Sequence, residues 1–220
     1  MRHNQRLALA AGIGLAAACA IPAGSAHAIS GGREASSAPW AVQVYSNGRF
    51  ACTGTMLTDR WVLTAYHCYN DEPGKMTVRV GDTRIGHGTK AEVTAIRYLA
   101  DTDGLDDVAL FHLAKPVKAP HIQLAKTDPP KGAVVGIYGY GSFGPHPKNL
   151  RKATNRVTSV KHDDIIGRAI WTKKLTGDSE PGDSGGPAFY KGKQVGVLFG
   201  PNEYSSVASH RSWIRSVTGV

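Results

Sequence analysis

The sequence predicts an all-β chain: two β-barrels packed together, with one helix at the C-terminus. Three observations predict it. Beyond Ile29, apolar side chains recur at every second position in short runs, the period of a half-buried strand. These runs fall into two groups, separated by residues 115–130, which carry Pro116, Pro120, Pro129 and Pro130. The last segment changes period, with Val207, Trp213, Ile214 and Val217 on one face of a helix. With 26 Gly and 12 Pro among 220 residues, turns are frequent and strands are short. Many short strands in two groups cover their edges by closing into barrels.

The elements follow in order. Trp40, Val42 and Val44 alternate with Ala41 and Gln43, and Asn47-Gly48 then signals a two-residue hairpin turn. Residues 50–57 form the return strand, and Asp59-Arg60 turns into a short apolar run at 61–64. Residues 77–80, 92–99 and 108–113 complete the first group. The second holds 133–138, 156–160, 187–190 and 194–199, the last two joined by Lys191-Gly192-Lys193. This organisation places barrel 1 at about 29–115, barrel 2 at about 125–205 and the helix at about 206–218.

The first 28 residues read as a targeting segment. Arg2 and Arg6 give a positive start, residues 7–21 are mostly apolar, and Ala26-His27-Ala28 is a small-residue cleavage signal. The apolar run is shorter than the ~20 residues that a membrane span needs. A signal peptide at 1–28 leaves a mature domain at 29–220, secreted, extracellular and free of the membrane. A rival cut, of the lipoprotein type, would fall at Cys19. Cys52 and Cys68 remain after export, and two cysteines in an oxidising compartment most simply form one disulfide.

The full chain carries +9, and 24 basic against 17 acidic residues leave +7 beyond residue 28. The basic residues are scattered, with no aromatic-interleaved stripe, so the charge reads as solubility and no nucleic-acid partner is expected. The seven histidines beyond residue 28 include no His-Glu-x-x-His and no close cluster, so neither a metal nor another cofactor is expected. Asp71-Glu72 offers two oxygens to calcium, although two adjacent acids in a turn are usually just solvated. No feature of the sequence signals oligomerisation, so a monomer is expected.

Three strings carry chemistry. In Gly182-Asp183-Ser184-Gly185-Gly186-Pro187, three glycines surround one serine, and glycine allows a tight turn that a substrate can approach closely. In such a turn the N–H groups of Gly182 and Ser184 can converge on one point, as an oxyanion hole does. Leu63-Thr64-Ala65-Tyr66-His67-Cys68 sets a histidine beside a candidate disulfide cysteine, which would limit its movement. Asp107-Val108-Ala109-Leu110 sets a carboxylate at the mouth of an apolar strand. Serine is a poor nucleophile at neutral pH and needs a base, an orienter for that base and oxyanion donors.

In the order His, Asp, Ser, these strings resemble the trypsin-like serine proteases of the chymotrypsin fold. The resemblance runs from Ile29-Ser30-Gly31-Gly32 to Ser212-Trp213-Ile214 and implies two six-stranded antiparallel barrels. It implies that Ser184 attacks the scissile carbonyl, that His67 takes the proton and returns it to the leaving amine, and that Asp107 holds His67 in the right tautomer. Asp106 is the neighbouring competitor; the family pattern of Asp, then Ile or Val, then Ala-Leu selects Asp107. The resemblance also implies that a new α-amino group on Ile29 pairs with Asp183 and shapes the oxyanion hole. Because the expected cut falls directly before Ile29, export alone would activate the protein.

Asp178 lies six residues before Ser184, where the trypsin branch has the S1 acid that binds Arg or Lys. Peptides or proteins cut after Arg or Lys, through an acyl-enzyme, are therefore the expected substrates. The chain departs from the family in several places. Glu180 replaces a cysteine that braces the pocket, residues 200–204 form a much shorter pocket wall, and Tyr66 stands where alanine is usual. Ser30 replaces valine, and residues 195–200 lack the serine that supports the triad carboxylate. These departures keep a second reading open, a protease-fold binding protein with weak or no catalytic activity.

Overall fold

The computed structural model describes residues 29–69, 75–99, 106–141, 149–163 and 167–220. Residues 1–28, with Cys19, and the acids Asp71 and Glu72 lie outside them. A two-residue strand, β1 (Arg33–Glu34), opens the described chain. Six strands follow: β2 (Ala41–Ser46), β3 (Arg49–Met56), β4 (Trp61–Thr64), β5 (Met76–Val80), β6 (Thr89–Tyr98) and β7 (Ala109–Leu113). They close a barrel in the order β2-β3-β4-β7-β6-β5. Asn47 and Gly48, at φ 51° and 76°, make the tight β2–β3 turn that their sequence requires.

The second group is β8 (Val134–Gly139), β9 (Arg151–Asp163), β10 (Gly167–Lys174), β11 (Pro187–Tyr190), β12 (Lys193–Gly200) and β13 (Glu203–Ser206). Its order is β9-β10-β13-β12-β11-β8, closed by β8 on β9, with β1 added along β9. The molecule is therefore mostly β, with two closed six-stranded antiparallel barrels and one C-terminal helix, α1 (Val207–Thr218). The Ser206 hydroxyl caps that helix by accepting from Ser209 N–H, and Gly219 ends it in a left-handed conformation.

Three strands were not legible in the sequence, and one was read short. In β10, Ala169 and Ile170 are both buried beside a register shift at Trp171/Thr172, which breaks the alternation. In β13, Tyr204 is followed by two buried serines, Ser205 and Ser206. β1 is two exposed charged residues held by β9. β9 starts five residues earlier than expected because buried Asn155 stands at an inward position.

Each barrel has its own apolar core. Val42, Leu63, Leu110 and Phe111 centre the first, which also takes Val207 and Ile214 from α1. Val135, Ile137, Ile170 and Tyr204 centre the second, together with Ile29. Between the barrels, buried hydrogen bonds fix one face on the other. Thr53 N–H donates to Ser184 O at 2.8 Å, and Thr53 Oγ1 donates to Gly182 O at 3.0 Å. Thr55 Oγ1 donates to Gln194 Oε1 at 2.9 Å. Strand β3 of the first barrel is thus the seat on which the Ser184 loop of the second rests.

Candidate active site

His67 sits in a 3-10 turn, Tyr66–Cys68, directly after β4. A disulfide joins Cys68 to Cys52 of β3, tying the turn to the barrel wall. Asp107 stands one residue before the buried Val108 that leads into β7, which pairs with β4. That pairing brings the acid to the histidine. His67 N–H donates to Asp107 Oδ1 at 2.8 Å, and the ring Nδ1 lies 2.6 Å from Oδ2. A carboxylate accepts only, so Nδ1 carries the hydrogen and Nε2 is left as the basic nitrogen. The His67 side chain is 44% exposed and that of Asp107 14%, so the base faces solvent and its orienter does not.

Ser184 lies on the loop before β11 and shares a cleft of about 1120 Å³ with His67 and the disulfide. Gly185 N–H donates to Leu198 O and Leu198 N–H to Gly186 O, at 2.8 and 2.9 Å, pinning the loop to β12. Gly182 and Gly185 take φ of 93° and 77°, which a side chain would resist. The N–H groups of Gly182 and Ser184 find no acceptor among the described residues, and so remain available to a ligand oxygen. The Ser184 hydroxyl is not hydrogen-bonded to His67 in this structure. Such contacts often tighten only with substrate in place.

Asp183 is fully buried, and its Oδ2 accepts from Ile29 N–H at 3.1 Å and Glu180 N–H at 2.8 Å. Burial pushes its carboxyl up to about 7, although the N–H groups of Glu180, Ile29 and Gly141 pull it down. Its Oδ1 has no hydrogen-bond partner among the described residues. The chain is continuous with residue 28, so the Ile29 nitrogen is a peptide amide here.

Asp178 is held elsewhere. Its Oδ2 pairs with Lys174 Nζ at 3.0 Å, its Oδ1 accepts from Asn202 Nδ2 at 3.1 Å, and it is not among the residues lining the cleft. The cleft instead takes Glu180 from the second barrel and Arg49 from the first. The Glu180 carboxylate has no ion pair or hydrogen bond among the described residues. Lys174 and Asn202 were missed from sequence; the four-residue spacing of Lys174 from Asp178 was the available signal for the first. Asp106, the competitor of Asp107, faces His210 of α1 and not His67. Cys52, His67 and Cys68 bring ligand atoms within 4.8 Å of one another, but both sulfurs are spent in the disulfide, which removes the thiolates a metal would need.

The trypsin family model matches residues 29–214, and the chain belongs to that family. A trypsin of Phaedon cochleariae is 29% identical, over 83% of this chain and 84% of the relative. An uncharacterized peptidase of Corynebacterium glutamicum (strain R) is 28% identical, over 98% of this chain and 82% of the relative. Among solved structures, a scabies mite inactivated protease paralogue superimposes with a TM-score of 0.74, at 23% identity, covering 87% of this chain and 97% of the paralogue.

Proposed function

We propose that the chain is a secreted serine endopeptidase that hydrolyses peptide bonds through an acyl-enzyme. The observation that carries this is the His67–Asp107 couple, bonded through ring and backbone, whose histidine lines one cleft with Ser184. In this reading His67 Nε2 takes the Ser184 proton as Oγ bonds to the scissile carbonyl carbon. The oxyanion receives the N–H groups of Gly182 and Ser184. The protonated His67 gives its hydrogen to the leaving amine, and a water activated by the same nitrogen releases the acyl group. Asp107 stabilises the imidazolium in both steps.

Maturation by removal of residues 1–28 belongs to the same proposal. Ile29 has φ 37°, a strained value for a β-branched residue, and cleavage of the preceding bond abolishes that torsion. The new ammonium would lie beside a buried carboxylate that lacks a counter-charge. The protein it leaves would be extracellular and monomeric. Among the described residues no helix is long and apolar enough to cross a membrane.

A preference for Arg or Lys is retained, with a change of residue. Lys174 already occupies Asp178, as a substrate cation would have to. Glu180 is the acid that lines the cleft, and we assign recognition of the substrate cation to it. The second reading, a binding protein with weak or no activity, draws on the Ser184 hydroxyl that is not bonded to His67 and on Tyr66, whose ring stacks on Tyr98 with centroids 4.4 Å apart. The two readings part on hydrolysis of a peptide library by protein beginning at Ile29. The endopeptidase reading expects cleavage that Ser184→Ala abolishes; equal product from both proteins, or none from either, favours the second.

A further inference from the structure

A second histidine–aspartate contact lies directly behind the first. His210 of α1 is 3% exposed, and its Nε2 lies 3.4 Å from Asp106 Oδ2. Asp106 is the chain neighbour of Asp107, and the two side chains are 15% and 14% exposed. Two adjacent, mostly buried carboxylates repel each other. Only a charged, fixed Asp107 carboxylate can stabilise the His67 imidazolium, so a counter-charge beside Asp106 bears on catalysis.

Hydrogen bonding fixes one nitrogen of the His210 ring. Nδ1 lies 2.6 Å from Ser206 O, a carbonyl that can only accept, so Nδ1 carries a hydrogen. Ser209 Oγ, at 3.1 Å from Nδ1, can accept from the same hydrogen. Nε2 then faces a carboxylate. With a bare lone pair that approach is repulsive, and with a hydrogen it is an ion pair. Nε2 is buried and makes no hydrogen bond among the described residues, so its approach to Asp106 at 3.4 Å is a charge contact. Asp106 Oδ1 lies over Gly167, 2.5 Å from where a Cβ on that residue would stand, so the carboxylate uses space that only glycine leaves open. Among the described residues, the cations next to Gly167 and His210 in the chain are engaged elsewhere: Arg168 with Asp128 at 2.5 Å, and Arg211 on Leu124 O at 3.3 Å.

We infer that His210 is a positioning residue: held as an imidazolium, it neutralises Asp106 and so keeps Asp107 ionised and oriented on His67. The two hydrogen bonds to the Asp107 carboxylate both come from His67 itself, with none from any other side chain among the described residues. The orienter is therefore steadied from behind, through Asp106 and the tight Val108 N–H to Asp106 O bond of 2.7 Å. This inference rests on the triad reading for its catalytic consequence, but not for the charge state of the ring.

The test has two arms. In folded Ser184→Ala protein, 15N NMR of the His210 ring at pH 7 should find both nitrogens protonated; a neutral ring overturns the inference whether or not the protein is a protease. In active protein, His210→Gln should lower kcat about tenfold with KM unchanged and move the acid limb of the rate profile up by about one pH unit. Adding Asp106→Asn removes the uncompensated charge and should restore kcat to within about threefold of the parent. A double variant no faster than His210→Gln would mean that the helix contact is merely structural and would overturn the inference. So would an unmoved acid limb.

Discussion

The Ile29 nitrogen lies 3.1 Å from Asp183 Oδ2, across 154 positions of chain. Buried Asp183 is raised from its ordinary 3.8 to about 7 while that nitrogen is an uncharged amide. A raised carboxyl holds its proton longer in the folded state than in the unfolded one. The uncleaved chain should be most stable below about pH 4 with respect to this group and lose that contribution as pH rises to about 7. Protein beginning at Ile29 pairs the carboxylate with an ammonium and should not lose stability over that window. Its pair fails at higher pH, as an α-amine with an ordinary value near 8 discharges. Urea unfolding of the two forms at pH 4, 5.5 and 7 checks this; parallel pH dependence contradicts it.

The pairing of Asp178 with Lys174 predicts an unequal response from two nearby acids. Glu180→Gln should reduce the preference for Arg or Lys over apolar residues by about 10- to 100-fold, the worth of a charge-assisted hydrogen bond. Asp178→Asn should change it by less than about threefold, because an exposed pair of this kind contributes little. Cleavage profiling of both variants decides between them, and the reverse order would return recognition to Asp178.

Gly185 leaves no room for a side chain. At φ 77° an added Cβ would run into Thr64 Oγ1 and Thr53 O, which are themselves hydrogen-bonded to each other at 2.8 Å. Gly185→Ala should cost about 3 kcal/mol and displace Ser184 as well, from overpacking together with left-handed strain. The denaturant midpoint and the rate should fall together.

The Cys52–Cys68 bond closes a loop that contains β4 and His67. Replacing both cysteines by alanine should lower stability by roughly 3 kcal/mol, by the chain-entropy account. It should also reduce kcat, because the turn carrying the base loses its tie to β3. Thermal melts and initial rates of the double variant check both effects.

Much of this arrangement was legible before the fold. Alternation revealed the strands around Val42, Val62 and Leu110 because each has one face in a core and one toward solvent. Strands β10 and β13 escaped because a bulge and two buried serines remove that contrast. Ser184 and His67 announced themselves through unusual neighbours, three glycines and a cysteine. Pair formation across the chain was less readable. Nothing at Asp178 says that Lys174 and Asn202 will take its two oxygens, and nothing at Asp106 says that a helix 104 residues later will place His210 against it. Such pairings depend on which sheet faces meet, and periodicity does not encode that.

The central claim is that Ser184 is activated by His67 oriented by Asp107. An active-site fluorophosphonate phosphonylates only a serine whose proton is being taken. Intact-mass analysis of protein beginning at Ile29 should show one adduct, on Ser184, lost in Ser184→Ala and in His67→Ala and much slowed in Asp107→Asn. An unlabelled parent, or labelling that survives His67→Ala at the same rate, would contradict the account.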